Sequence, residues 1–189
     1  MSDAIATTLI TGAFALGGVY LGTLLNSLNE SKKSAREIKI RAFTKLASLK
    51  LPLTQSIQTN IEAQLLCEYY EARAYMLSSD ADLAEAKAQN NRMLALIPEV
   101  TKQRSEFAMA VSEIKIAFDL PKEINQLLMD IYKAQSLKIN SVVNSFNTEE
   151  ELNQWKNLTS KQIINHLKNE YTNKIEKIIE QLYQEFEKM

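Results

Sequence analysis

Cysteine, histidine and glycine are scarce in this 189-residue chain, and each shortage excludes something. Cys67 is alone, so no disulfide closes within the chain, and one Cys with one His cannot build a zinc cluster. The four glycines are Gly12, Gly17, Gly18 and Gly22, and none follows. Tight hairpin turns need φ > 0, which glycine adopts at no steric cost. A body without glycine is therefore read as all-α, with Asn left to serve the turns that demand a left-handed residue. Phosphate-cradling loops and a G-x-S-x-G nucleophile elbow are excluded for the same reason. Charge of one sign is also missing. Lys+Arg total 22 and Asp+Glu 23, a net charge of −1, which excludes a strongly basic nucleic-acid binder as a whole-chain reading.

What is present begins with an uncharged run from Ala4 to Asn29. Its apolar heart, Ile5 to Leu25, is 21 residues long. As a helix it covers roughly 31 Å, the thickness of a bilayer's hydrocarbon core. A buried core helix is the competing reading, but the run is apolar on every side. A cleaved signal peptide is the other, but the chain opens Met1-Ser2-Asp3 with no basic residue before the run. The expectation is a single transmembrane helix over residues 1–29. Seven basic residues against two acidic ones follow between Glu30 and Lys50. By the positive-inside rule this places the N-terminus outside and the C-terminal domain in the cytoplasm, at the cell membrane. Lys32, Lys33, Arg36, Lys39 and Arg41 are the residues expected to set topology or meet anionic membrane lipid.

Inside the run, Ala4, Thr8, Thr11, Ala15, Gly18 and Gly22 recur at steps of four and three, and all are small. Gly18 and Gly22 form a GxxxG pair. In lipid, helices associate by close backbone approach over small residues. Thr8, Thr11, Ala15, Gly18 and Gly22 are thus expected to pack against another helix, making a homo-oligomer.

Residues 30–51 read as a basic juxtamembrane helix, continuous with the span and ending near Pro52. Residues 52–189 read as one cytoplasmic, antiparallel helical bundle. A helix is expected from Pro52 to Leu77, then one from Asp80 to Ile97, and a fourth opening at Pro98. Val100, Phe107, Val111, Ile114 and Phe118 form its apolar seam. A break at Asp119-Leu120-Pro121 precedes a fifth helix carrying Ile124, Leu128, Ile131, Ile139, Val142 and Phe146. Thr148 and Glu151 have the spacing of a capping box. The last helix has its seam at Ile164, Leu167, Tyr171, Ile175, Ile178, Leu182, Phe186 and Met189. The mean step is about 3.57 residues, nearer a straight helix than the 3.5 of a coiled coil.

Candidate chemistry is thin. His166 with Glu170 offers half a metal site, and a di-iron bundle centre needs two Glu-x-x-His pairs. Glu68 and Glu71 share a helix face beside Cys67, a spacing that helix surfaces carry routinely. Cys67 and Trp155 are read as core residues. No cofactor, metal or small-molecule substrate is implied, and no enzyme. The residues point to a membrane-anchored interaction or scaffold protein that oligomerises and recruits or regulates a protein partner. The alternative is a membrane-perturbing effector, of toxin, defence or holin-like type, whose bundle senses or gates clustered spans.

Overall fold

A computed structural model describes the backbone of residues 2–134 and 137–187, and the side chains of residues 30–134 and 137–185. The chain is all-helical, and no strand occurs among the described residues. Helix α1 runs Ser2–Leu77, α2 Asp80–Ala117 and α3 Lys122–Lys133. Helix α4, Glu149–Leu167, leads through a π-helical turn, Lys168–Thr172, into α5, Asn173–Glu187. Two compact units divide the chain, Met1–Arg41 and Ala42–Met189.

In the first unit the side chains of Thr8, Thr11, Ala15, Gly18 and Gly22 lie outside the described residues. Lys32, Lys33, Arg36 and Arg41 are exposed on the helix and Lys39 is half-buried. Among the described residues, no helix is long and apolar enough to cross a membrane. The side chains of the expected span, Ile5 to Leu25, lie outside the described residues; beyond Asn29 the helices intersperse apolar positions with charged ones, and a charge at the bilayer centre costs kilocalories. This corrects the expected localisation as a single-pass membrane protein with its N-terminus outside and its C-terminal domain cytoplasmic.

The second unit is built on burial. Leu46, Leu53, Ile57 and Ile61 of α1 share one core with Phe107, Ala110 and Ile114 of α2. Helix α3 adds Ile124, Leu128 and Ile131. Ile163, Leu167, Tyr171, Ile175, Ile178 and Leu182 complete it from the last helical stretch. The side chains of Phe186 and Met189, expected in the same seam, lie outside the described residues. A smaller cluster of Tyr69, Ala72, Val142 and Leu152 closes one end. Each such side chain of Leu, Ile or Phe removed from water contributes roughly 1.5–3 kcal/mol.

Polar links set the directions. Lys45 pairs with Glu113, Asn60 donates to the Met93 carbonyl, and Arg73 pairs with Asp82. Numbers rise along α1 as they fall along α2, so the two helices are antiparallel. Lys50 with Glu176 and Arg73 with Glu149 give the same sense for α1 against the last helices.

Several boundaries differ from expectation. Pro52 and Pro98 do not end or open helices but lie inside α1 and α2. Both are exposed, so the carbonyls that lose a partner, those of Ser48 and Leu94, can turn to water. At Pro52 the buried seam on both sides, Leu46, Leu49, Leu53 and Ile57, holds the helix together, whereas α2 buries no residue between Ala86 and Gln103. The expected fifth helix stops at Lys133, and the chain beyond Leu137 is irregular up to Thr148. Ile139 and Val142 are nevertheless buried. Thr148 caps α4 by accepting from the Glu151 N–H at 3.2 Å. Glu151 reaches back to the N–H of Asn147, one residue before the expected partner.

The π turn explains a further difference. Buried positions fall at Thr159, Ile163, Leu167, Tyr171 and Ile175, each four apart. A step of four overshoots a 3.6-residue turn by about 40°. Four such steps in a plain α-helix would carry the seam round to solvent. The π turn, whose closing bond runs from the Asn173 N–H to the Lys168 carbonyl, holds one extra residue and takes up the drift. Upstream of it the inward position is therefore Ile163, 1% exposed, and not Ile164, which is 56% exposed.

Without glycine, left-handed positions go to other residues. Ser78 ends α1 at φ 52° and Asn144 turns at φ 66°. The Ser79 N–H bonds the Ala74 carbonyl at 3.1 Å, the long bond of a Schellman cap. A Cβ at that position costs roughly 1 kcal/mol. Ser78→Gly is expected to raise unfolding stability by about 0.5–1 kcal/mol, read as a higher urea midpoint at unchanged slope.

Candidate functional site

A cleft of about 470 Å³ opens between α2, the C-terminal end of α3 and the π turn. That volume lies within the roughly 300–1,000 Å³ of ligand sites. Its floor is apolar, from Leu53, Phe107 and Ile131, all buried. Its rim carries Arg104, Ser105 and Thr101 from α2 and Tyr132 from α3. Tyr132 is 64% exposed although it sits beside that floor.

Tyr171 joins rim to floor. The π turn aims its ring inward, where 2% of the residue stays exposed. Its hydroxyl donates to the Ala134 carbonyl at 3.3 Å and accepts from Arg104 Nη2 at 3.3 Å. Burial pushes the phenol's pKa up, and the Arg104 guanidinium pulls the other way. The hydroxyl therefore stays protonated at neutral pH and serves as a strut between α2 and the end of α3. Thr101 and Ser105 donate their hydroxyls to the carbonyls of Ile97 and Thr101. Their protons are committed within the helix, and what they offer outward is small and uncharged. The arrangement suits an apolar group with a polar or anionic edge.

The residues singled out in the sequence are scattered. Cys67 is buried, and its thiol lies 3.9 Å from Glu71 Oε1. Burial, then the charges of Glu71 and Glu68, push its pKa up to about 11. A thiol held neutral in this way is a poor nucleophile and a poor metal ligand. His166 packs edge-on to Tyr171 with ring centroids 6.3 Å apart. Glu170 is taken by Lys174 at 2.6 Å. Trp155 is half-buried against Phe146, 5.9 Å between centroids. Among the described residues, no group of three or more His, Cys, Asp or Glu could hold a metal ion. Nothing in the sequence distinguishes Arg104, Tyr132, Thr101 and Ser105. Only Tyr171 stands out there, as a seam residue, and the run of four-residue steps around it is the available signal.

A second polar cluster ties the helix ends. Arg73 Nη1 meets Asp82 Oδ1 at 3.1 Å and Arg73 Nε meets Glu149 Oε1 at 2.8 Å. Both carboxylates lie in first turns of helices, where negative charge is favoured. Next to it the Tyr69 hydroxyl donates to Asn153 Oδ1 at 2.8 Å, and Lys156 lies 4.3 Å over the Tyr69 ring. This cluster has its partners and acts as a clasp.

Two outcomes are expected. Tyr171→Phe leaves the Ala134 carbonyl and one Arg104 N–H without this partner, so stability should fall by about 1–3 kcal/mol by denaturant titration. Cys67 should react with iodoacetamide at pH 8 on the order of 100-fold more slowly than a free thiol of pKa 9.0, and at the ordinary rate once urea unfolds the chain.

No family model matches this chain, and neither a curated protein nor a solved structure does.

Proposed function

We propose that the protein is an interaction or scaffold module: an antiparallel helical bundle that recruits a protein partner through the cleft between α2 and α3, and that associates with itself. The observation that carries this reading is Tyr132, exposed at the rim of a cleft whose floor is apolar. Interface anchors are aromatic or arginine side chains at the edge of pockets that a partner fills. Arg104 and the small hydroxyls of Thr101 and Ser105 give that pocket a polar edge, which favours an apolar side chain next to a carboxylate or a helix carbonyl. No reaction is proposed. The cleft is lined by one arginine and two tyrosines, with no carboxylate, imidazole or thiol among its lining residues to act as a general base or nucleophile. The membrane-perturbing alternative depends on clustered spans and is not carried forward.

A photo-crosslinking amino acid in place of Tyr132, in the full chain expressed in cells, tests the reading. One dominant protein adduct is expected. It should vanish when Ala108→Trp fills the cleft, with the thermal unfolding curve unchanged. An adduct pattern indifferent to Ala108→Trp would sink the assignment of the cleft.

A further inference from the structure

The irregular stretch after Leu137 buries Ile139 and Val142, and Gln64 of α1 donates to the Ile139 carbonyl at 3.2 Å. Between this stretch and α4 lies a cavity of about 270 Å³. Helix α4 lines it with Trp155, Thr159 and Gln162, at steps of four and three along one face. Leu137, Ile139, Val142 and Trp155 give it apolar walls. Lys138, Asn140 and Gln162 are exposed and stand at its mouth. Thr159, 7% exposed, is its floor. By spacing Thr159 takes an inward position between Leu152 and Ile163, both buried and apolar. Thr54, Thr59, Thr101 and Ser105 donate their hydroxyls to the carbonyl four residues back. The Thr159 hydroxyl makes no hydrogen bond among the described residues. A buried hydroxyl without a partner costs free energy that a valine of the same shape avoids. Threonine at this position therefore points to a partner that enters the cavity.

We propose that this cavity binds a small aromatic carboxylate, with its ring between the apolar walls, a polar ring substituent on the Thr159 hydroxyl and the acid group at the mouth against Lys138. Size sets the first limit. The volume falls just below the roughly 300–1,000 Å³ of sites for drug-sized ligands, which leaves room for one substituted ring and not for a nucleotide or a peptide. The walls set the second. A sugar of the same size would turn hydroxyls against Leu137, Ile139 and Val142, where they find no partner. A flat apolar ring loses nothing there and gains the indole of Trp155. Charge sets the third. Lys138 is the one charged residue among those that line the cavity, and no carboxylate accompanies it. The amides of Asn140 and Gln162 add N–H donors beside it, and charge-assisted bonds to a carboxylate are the strong ones. The depth of Thr159 against the exposure of Lys138 fixes the direction, with the polar substituent inward and the acid outward.

Trp155 is the chain's only tryptophan, so its fluorescence reports occupancy of this cavity directly. Titrating the full chain with para-hydroxybenzoate should change the emission saturably within the millimolar range. Benzoate, which lacks the inward hydroxyl, should bind about tenfold more weakly. Thr159→Val should weaken para-hydroxybenzoate about tenfold, leave benzoate unchanged, and leave the thermal unfolding midpoint equal or higher. Its retained benzoate affinity separates a lost contact from a damaged fold. Lys138→Gln should weaken both acids several-fold and leave the neutral para-hydroxybenzamide unchanged. No saturable change with para-hydroxybenzoate in the millimolar range, or a change indifferent to both substitutions, would overturn the proposal. The cleft between α2 and α3 shares no lining residue with this cavity, so the Tyr132 adduct is decided independently.

Discussion

Everything in the second unit depends on α1 giving up water on the seam from Ala42 to Ala72. Leu46, Leu53, Ile57, Ile61 and Leu65 are each at most 2% exposed. They share one core with α2, α3 and the last helical stretch. Helix α2 returns along this seam, and the last helices run back down its length. The ion pairs that mark these directions join partly exposed side chains and contribute little to stability individually. They register the helices, while apolar burial holds them. This division explains why Pro52 can sit inside α1 without breaking it. Interrupting one backbone hydrogen bond costs about 3 kcal/mol, and the buried Leu46, Leu49, Leu53 and Ile57 around Pro52 offset it.

The π turn follows from the same constraint. Tyr171 has to reach between α2 and the end of α3, and the residues before and after it have to face the same core. A helix stepping by four satisfies the first demand only by drifting away from the second. One extra residue reconciles them, and the cleft lies where that reconciliation occurs. π turns concentrate at functional sites, and here the reason is visible: the extra residue re-aims one side chain in a helix that otherwise cannot bend to do so. Burial keeps the Tyr171 hydroxyl protonated, so it donates to the Ala134 carbonyl while its oxygen accepts from Arg104 and positions that guanidinium at the cleft.

Much of the helical content was legible. The missing glycines, the seam at Phe107, Val111, Ile114 and Phe118, and the Thr148 cap all translate locally into structure, because each rests on neighbours three or four residues away. The break at Asp119-Leu120-Pro121 was legible for the same reason. Pro52 and Pro98 point to helix boundaries that the structure does not have; at Pro52 the buried seam on both sides overrides proline's local preference. The stretch holding Ile139 and Val142 shows the converse. Steps of three and four can be met by an irregular chain that dips inward twice, and periodicity alone does not separate that from a helix. The cleft was not legible at all. Thr101, Arg104 and Ser105 look like ordinary surface in the sequence, and only the approach of Tyr132 and Tyr171 makes them a rim.

The outward seam of α2 has the same character. An uncharged strip from Leu94 to Ile116 is invisible in a composition that is 24% charged overall, since Lys, Arg and Glu occur on both flanks. What distinguishes it is phase. The charged residues of α2 fall beside the seam and the neutral ones along it, at the same period as the buried seam on the other side. Helix α2 thus has two apolar or small faces separated by charged flanks. Burial inside the chain accounts for one of those faces. The other exposes Leu94, Met109 and Ile116 to water.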